Sequence, residues 1–422
     1  MFGFYFGLGA WVPTLSTYLM SSPDRGGLGL PTAEVGLVYS TFAFGGMLAP
    51  LVIGLLTDRL FRGERVLGAA CLLSAGLAYA AAAWCDASFP GMAAAYAAAP
   101  DPATADDDPG VRRAAAGAFG RLFTLMLGYA VLLQLALTLT TVVTLRNLPD
   151  PTRSFARVRL WGTVGWIAAG AAVQELFRPA TTDVLYLGAA AAAVAGVYAF
   201  TLPATPPRGT GRSAAEMLGL PALGLFRDRS FGVFVAVAFV TTAANQFYVV
   251  YGNRYLIDHG VYKPALTMTL AQVVEVGCMF SIPFFDPKHR MKLLMAVGLG
   301  GYALRGAVMA SGWVPAVVAV GVPMHGWGYT FFFIVASTYL DREAPPHLRA
   351  SAQGIITFVS GGVGTWVGNL FAGWVVDRYR VGTVIDWGAV WLVPLGVCVA
   401  VLAAFLVLFH PLERGQGGGV RG

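Results

Sequence analysis

Four short patterns set polar side chains inside apolar runs. Arg159, Thr163 and Trp166 stand at i, i+4 and i+7 within Arg157-Val-Arg-Leu-Trp-Gly-Thr-Val-Gly-Trp166. That spacing puts a cation, a hydroxyl and an indole on one face of a helix. Gln272 and Glu275 share a face at i and i+3, and His325 and Tyr329 do so at i and i+4. Asn245 and Gln246 add two amides that both donate and accept. Carboxylate, amides and hydroxyl can bond hydroxyls and ring-edge groups, while Trp and Tyr can stack on a planar ring. The set therefore suits a neutral, planar, multiply hydroxylated solute. Bland readings stand beside it: Arg159 snorkelling to headgroups, Glu275 as a structural carboxylate, and the amides as interhelical glue. Arg305 lies inside another apolar run and reads as structural or snorkelling.

The elements that must hold these residues are membrane spans. The chain has 422 residues, 57% hydrophobic and 12% charged, against about 25% charged in soluble domains. Its net charge of +6 fits a positive-inside bias better than nucleic-acid binding. Cys71, Cys85, Cys278 and Cys398 are scattered and form no CxxC or Cys/His cluster, so no metal, cofactor or disulfide framework is expected. Met1 leads straight into an apolar stretch without a basic leader, which predicts a first span rather than a cleavable signal. No nucleophile–base pair or phosphate-binding glycine loop lies in the spans, so no enzyme is expected.

Twelve apolar stretches of roughly 20 residues each fit the bilayer core, predicting an all-α membrane protein of two six-helix bundles. Residues 1–202 form the first bundle, 203–228 a linker, 229–411 the second bundle, and 412–422 a disordered tail. Residues 86–114, rich in Ala, Pro and Asp, read as a flexible external loop. Within the linker the apolar stretch 217–225 suits the membrane surface. Lys and Arg concentrate in the loops after spans two, four, six, eight and ten, so those loops, the linker and both termini are predicted to be cytoplasmic.

Six plus six helices around a long linker is the layout of major facilitator transporters, whose substrate sites lie near the midplane between the halves. The turn Gly54-xxx-Asp58-Arg59-xx-Arg62 resembles that superfamily's signature and assigns Asp58 and Arg59 to conformational gating. At finer grain the chain resembles the bacterial nucleoside:proton symporters of this superfamily. The segments that carry this are Gly9-Ala-Trp-Val-Pro-Thr-Leu-Ser-Thr-Tyr18, Arg159-Leu-Trp-Gly-Thr-Val-Gly165 and Gln272-Val-Val-Glu275 with Ile282-Pro-Phe-Phe285. Leu304-Arg305, Leu348-Arg-Ala-Ser-Ala-Gln-Gly354 and Asp386-Trp387 extend the likeness. The resemblance implies nucleoside binding by Arg159, Thr163, Trp166, Gln246, Gln272, Glu275, His325 and Tyr329, with Glu275 carrying the coupling proton. It implies a monomer in the inner membrane that needs no cofactor, binds no nucleic acid, and has the nucleoside, the proton and the bilayer as partners. Val249, Thr330 and Leu139 stand where the family often has Asn, Asp and Asn. The first alters the substrate hydrogen bonds, and the second leaves Glu275 as the remaining candidate proton site.

Overall fold

The computed structural model describes residues 1–57, 60–101, 104–177, 181–207, 215, 219–285, 290–345 and 348–410. The N-terminal half runs α1 (Phe2–Trp11, resuming as Leu15–Met20), α2 (Thr32–Leu56), α3 (Gly63–Ala98), α4 (Pro109–Asn147), α5 (Pro151–Leu176) and α6 (Asp183–Ala199). The C-terminal half runs α7 (Arg229–Asp258), α8 (Pro264–Phe285), α9 (Met291–Ser311), α10 (Val314–Leu340), α11 (Ser351–Arg378) and α12 (Trp387–Leu408). A small antiparallel hairpin, β1 (Arg380–Val381) and β2 (Val384–Ile385), links the last two. Among the described residues, eight helices are long and apolar enough to cross a membrane: α3, α4 and α7 to α12.

Each half packs around its own pairs. In the first, α3 lies on α4 and α6, α2 on α4, and α1 on α5 and α6; in the second, α9 lies on α12 and α8 on α10. Across the halves, α2 meets α11, and the start of α8 meets α5. One end of this interface is closed by polar contacts. Thr17 donates to Asn253 (2.8 Å), Arg254 to Ser21 (3.1 Å), Tyr251 to the Thr32 carbonyl (2.9 Å) and Thr32 to Asp377 (3.0 Å). Lys263 pairs with Glu175, and Arg380 with Asp106.

The expected loop over 86–114 is mostly helix. α3 continues to Ala98, Ala105–Asp107 forms a 3-10 turn, and α4 begins at Pro109. The cause is composition: Ala is the strongest helix former, and Asp108 accepts from the Gly110 and Val111 amides as an N-cap ahead of Pro109. At about 1.5 Å per residue, the 36 residues of α3 exceed the ~30 Å hydrocarbon core. Asp86, inside that extension, accepts from Tyr186 of α6 and from Thr182 just ahead of it, at 2.7 Å each. The linker is anchored at both ends. The Thr205 amide donates to buried Glu64 (2.7 Å), and Asn147 donates to the Thr205 hydroxyl (2.8 Å). A 3-10 segment, Leu220–Arg227, buries Ala222 while Leu220, Leu223 and Phe226 stay exposed. Asp58, Arg59 and the tail from 411 to 422 lie outside the described residues.

Candidate functional site

Pro13 interrupts α1 and, with Val12, borders a cavity between the halves. The backbone groups freed by the break find Tyr39 of α2, whose hydroxyl donates to the Val12 carbonyl (2.6 Å) and accepts from the Ser16 amide (3.1 Å). Irregular backbone at membrane depth is tolerated where it lines a cavity in this way. The cavity measures about 290 Å³, near the lower end of the ~300–1,000 Å³ usual for small-molecule sites.

From the first half, α5 contributes Arg159, Thr163 and Trp166, and α1 adds Tyr5. The Arg159 guanidinium lies 4.3 Å over the Tyr5 ring. This stack needs Gly162, because a Cβ there would come within 2.8 Å of both the guanidinium and the Tyr5 ring. From the second half, α8 contributes Met268, Gln272 and Glu275, α10 His325 and Tyr329, and α7 Tyr248 and Val249. Gly326 lets α10 lie against α8, since a Cβ there would overlap the Ala271 carbonyl. That contact brings His325 and Tyr329 beside Gln272 and Glu275. Arg159 and Glu275 thus face one cavity from opposite halves. Among the described residues, neither has an ion-pair partner within 4.0 Å.

Seven of the eight residues singled out for binding border this cavity; Gln246 does not. Gln246 is buried, donates to the Thr242 carbonyl (3.1 Å), and lies against Gly368 of α11. Its neighbours on α7, Tyr248 and Val249, face the cavity instead. Gln246 therefore stands apart from the other seven in this structure. Tyr5, Tyr248 and Met268 carry no sequence signal beyond lying in apolar runs. Thr330, at the position where an Asp would be a second proton site, is buried and donates to the Glu275 backbone carbonyl (3.3 Å). Arg305 does not snorkel. It is 1% exposed, within 2.9 Å of Asn245 and 3.1 Å of His325.

Buried polar atoms are rarely left without partners. Here Gln272 Oε1 and the Tyr248 hydroxyl, both on cavity residues, have none among the described residues. A cavity with polar groups, aromatic walls and charges from both halves is built to hold a polar solute. A second cavity of about 430 Å³, lined by Asn245, Tyr329, Phe333, Gln353 and Thr357, adjoins it toward the end opposite the polar closure. Tyr329 borders both.

Fold and site together define a multi-pass membrane transporter of the major facilitator class. Its fold is that of the crystal structure of nucleoside transporter NupG, at a TM-score of 0.80 over 97% of this chain and 96% of that one, with 24% identity. The family model described as "Nucleoside H+ symporter" matches residues 1–97 and 111–414, and the chain belongs to that family. Among curated relatives, the putative nucleoside transporter YegT of Escherichia coli (strain K12) is 30% identical, covering 97% of this chain and 92% of that protein. The xanthosine permease of the same organism is 28% identical over 96% and 93%.

Proposed function

We propose that the protein imports nucleosides together with protons, by alternating access, as a monomer in a bacterial cytoplasmic membrane. The observation that carries this is the cavity shared by the halves, with Arg159, Thr163 and Trp166 on one wall and Gln272, Glu275, His325 and Tyr329 on the other. Arg159, Thr163, Gln272 and Glu275 bond the sugar hydroxyls and base edge, and Trp166 and Tyr329 pack on the rings. Glu275 carries the proton. A carboxylate at this depth is costly to leave bare, so it takes either a proton or a donor of the bound solute. With both termini cytoplasmic, as the loop charges argue, the polar closure at Thr17, Ser21 and Arg254 faces outward and the described state opens inward. Asp58 and Arg59 take the conformational-gating role that the signature turn implies.

The test is uptake of labelled uridine and adenosine into proteoliposomes, with and without an inward proton gradient. Accumulation that follows the gradient is the expected result. Equilibration without accumulation means a facilitator, with Thr330 as the cause. Saturable binding without any uptake overturns the transport reading in favour of a sensor.

A further inference from the structure

Arg305 sits in the middle of α9 with no task in the transport scheme. Its Nη1 donates to Asn245 Oδ1 at 2.9 Å and to His325 Nδ1 at 3.1 Å. Its guanidinium is held between the faces of Tyr248 (5.0 Å) and Tyr302 (4.8 Å). A guanidinium has donors only. The ring nitrogen that receives from it therefore carries no proton, and the hydrogen of the neutral imidazole is on Nε2. His325 is also stacked on Tyr248, centroids 4.5 Å apart at 22°, which holds the ring plane. His325 borders the cavity, and its Nε2 has no protein partner among the described residues. That N–H is offered to what fills the cavity.

The other polar groups on this wall have no fixed polarity. The Tyr248 hydroxyl donates and accepts, and the Gln272 amide presents either its oxygen or its NH₂ by turning over. His325 alone is locked as a donor. The geometry points to Arg305 as a positioning residue for specificity: it fixes His325 as a donor, so the site takes a base that offers a carbonyl oxygen beside a ring N–H. The carbonyl meets His325 Nε2–H, and the ring N–H meets the Gln272 amide, turned over to present its oxygen to the cavity. A base with an exocyclic amino group at that edge sets donor against donor and leaves both without a partner. This rests on the nucleoside reading and narrows it to oxo bases.

The experiment is initial uptake by the purified wild type in proteoliposomes, comparing uridine with cytidine and inosine with adenosine. Each pair differs in a carbonyl against an amino group. The expected wild-type preference for the oxo member is at least about tenfold in uptake efficiency. In His325→Ala both members enter more slowly and the ratio falls toward one. In Arg305→Met, where Nδ1 is free to carry the proton, the ratio falls likewise. Each ratio is taken within one preparation, so lost expression or stability does not move it. If Arg305→Met does not fold, His325→Ala and the wild-type ratio decide alone. Equal uptake of both members by the wild type overturns the inference and leaves nucleoside transport standing, as does an undiminished ratio in His325→Ala. Uptake of no nucleoside overturns both.

Discussion

Arg159 reaches the cavity by folding back over Gly162 onto the Tyr5 ring. It is half-buried and without an ion-pair partner among the described residues, and in the proposed scheme it bonds the solute. A hydrogen bond to a charged group contributes about 1.5–3 kcal/mol, so Arg159→Ala is expected to raise the KM for uptake roughly 10- to 100-fold. Its level in the membrane should stay normal. Wild-type kinetics in that variant would return Arg159 to a headgroup role. Glu275→Gln keeps the shape of the side chain but holds no titratable proton. It is expected to abolish gradient-driven accumulation while preserving nucleoside exchange across the bilayer; accumulation at the wild-type level would remove Glu275 from coupling. The i, i+4, i+7 pattern was legible because it is local to one helix. Gln246 lies off the cavity because α7 is buried along much of its length, where an amide does not by itself mark the cavity face. Tyr5 and Tyr248 were missed for the same reason: which aromatic of a buried helix meets a cavity is decided by its neighbours, not by its own periodicity.

At the scale of the helices, the site depends on how closely α8 and α10 approach. Two sequence-remote pairs, Gln272 with Glu275 and His325 with Tyr329, become one wall because Gly326 has no side chain against the Ala271 carbonyl and the Glu275 amide. A helix backbone cannot retreat from a single methyl group without moving its neighbours, and such overpacking costs about 1–3 kcal/mol. Gly326→Ala should therefore lower the thermal unfolding midpoint in detergent by several degrees and reduce nucleoside affinity. Gly277, on the same helix α8, has nothing within 4 Å of its added Cβ, so Gly277→Ala should change neither. Equal midpoints for the two variants would mean that the approach is not tight. The order of the spans and the linker could be read from hydropathy. The helical ends of α3 and α4 could not, because an Ala-rich segment with acidic residues looks alike whether it is loop or helix. The missed cue was Asp108-Pro109, an N-cap followed by the residue that suits the first helical turn.

For the whole molecule, the two halves meet at the closed end through contacts that must break for the cavity to open there. Most come from helix ends, but Asp106 comes from residues 98–110, the stretch that the family pattern passes over. It accepts from Tyr96 (2.5 Å) in its own half and pairs with Arg380 of the hairpin in the other. Arg380 also reaches Asp377 (3.3 Å), which holds Thr32. The inserted turn thus ties the first half to the C-terminal hairpin at a point the helices alone do not reach. The pair is mostly buried, at 14% and 19% exposure, so solvent screens it less than a surface pair, and about 1 kcal/mol is a fair scale for it. That is roughly a fivefold change in the ratio of closed to open states. Asp106→Asn is therefore expected to raise the outward-open population two- to fivefold. A cysteine in place of Ser22, which borders the small cleft beside Asp106 and Arg380, reports it through labelling by an impermeant maleimide added outside the cells. The native cysteines are buried and should stay silent. Exchanging the charges, with Asp106→Arg and Arg380→Asp together, should return labelling toward the wild-type rate, which separates a lost ion pair from a disturbed loop. If Asp106→Asn labels at the wild-type rate, the turn rests on the closed end without holding it, and the balance between the two states lies in the helix ends, at Thr17, Arg254 and Thr32.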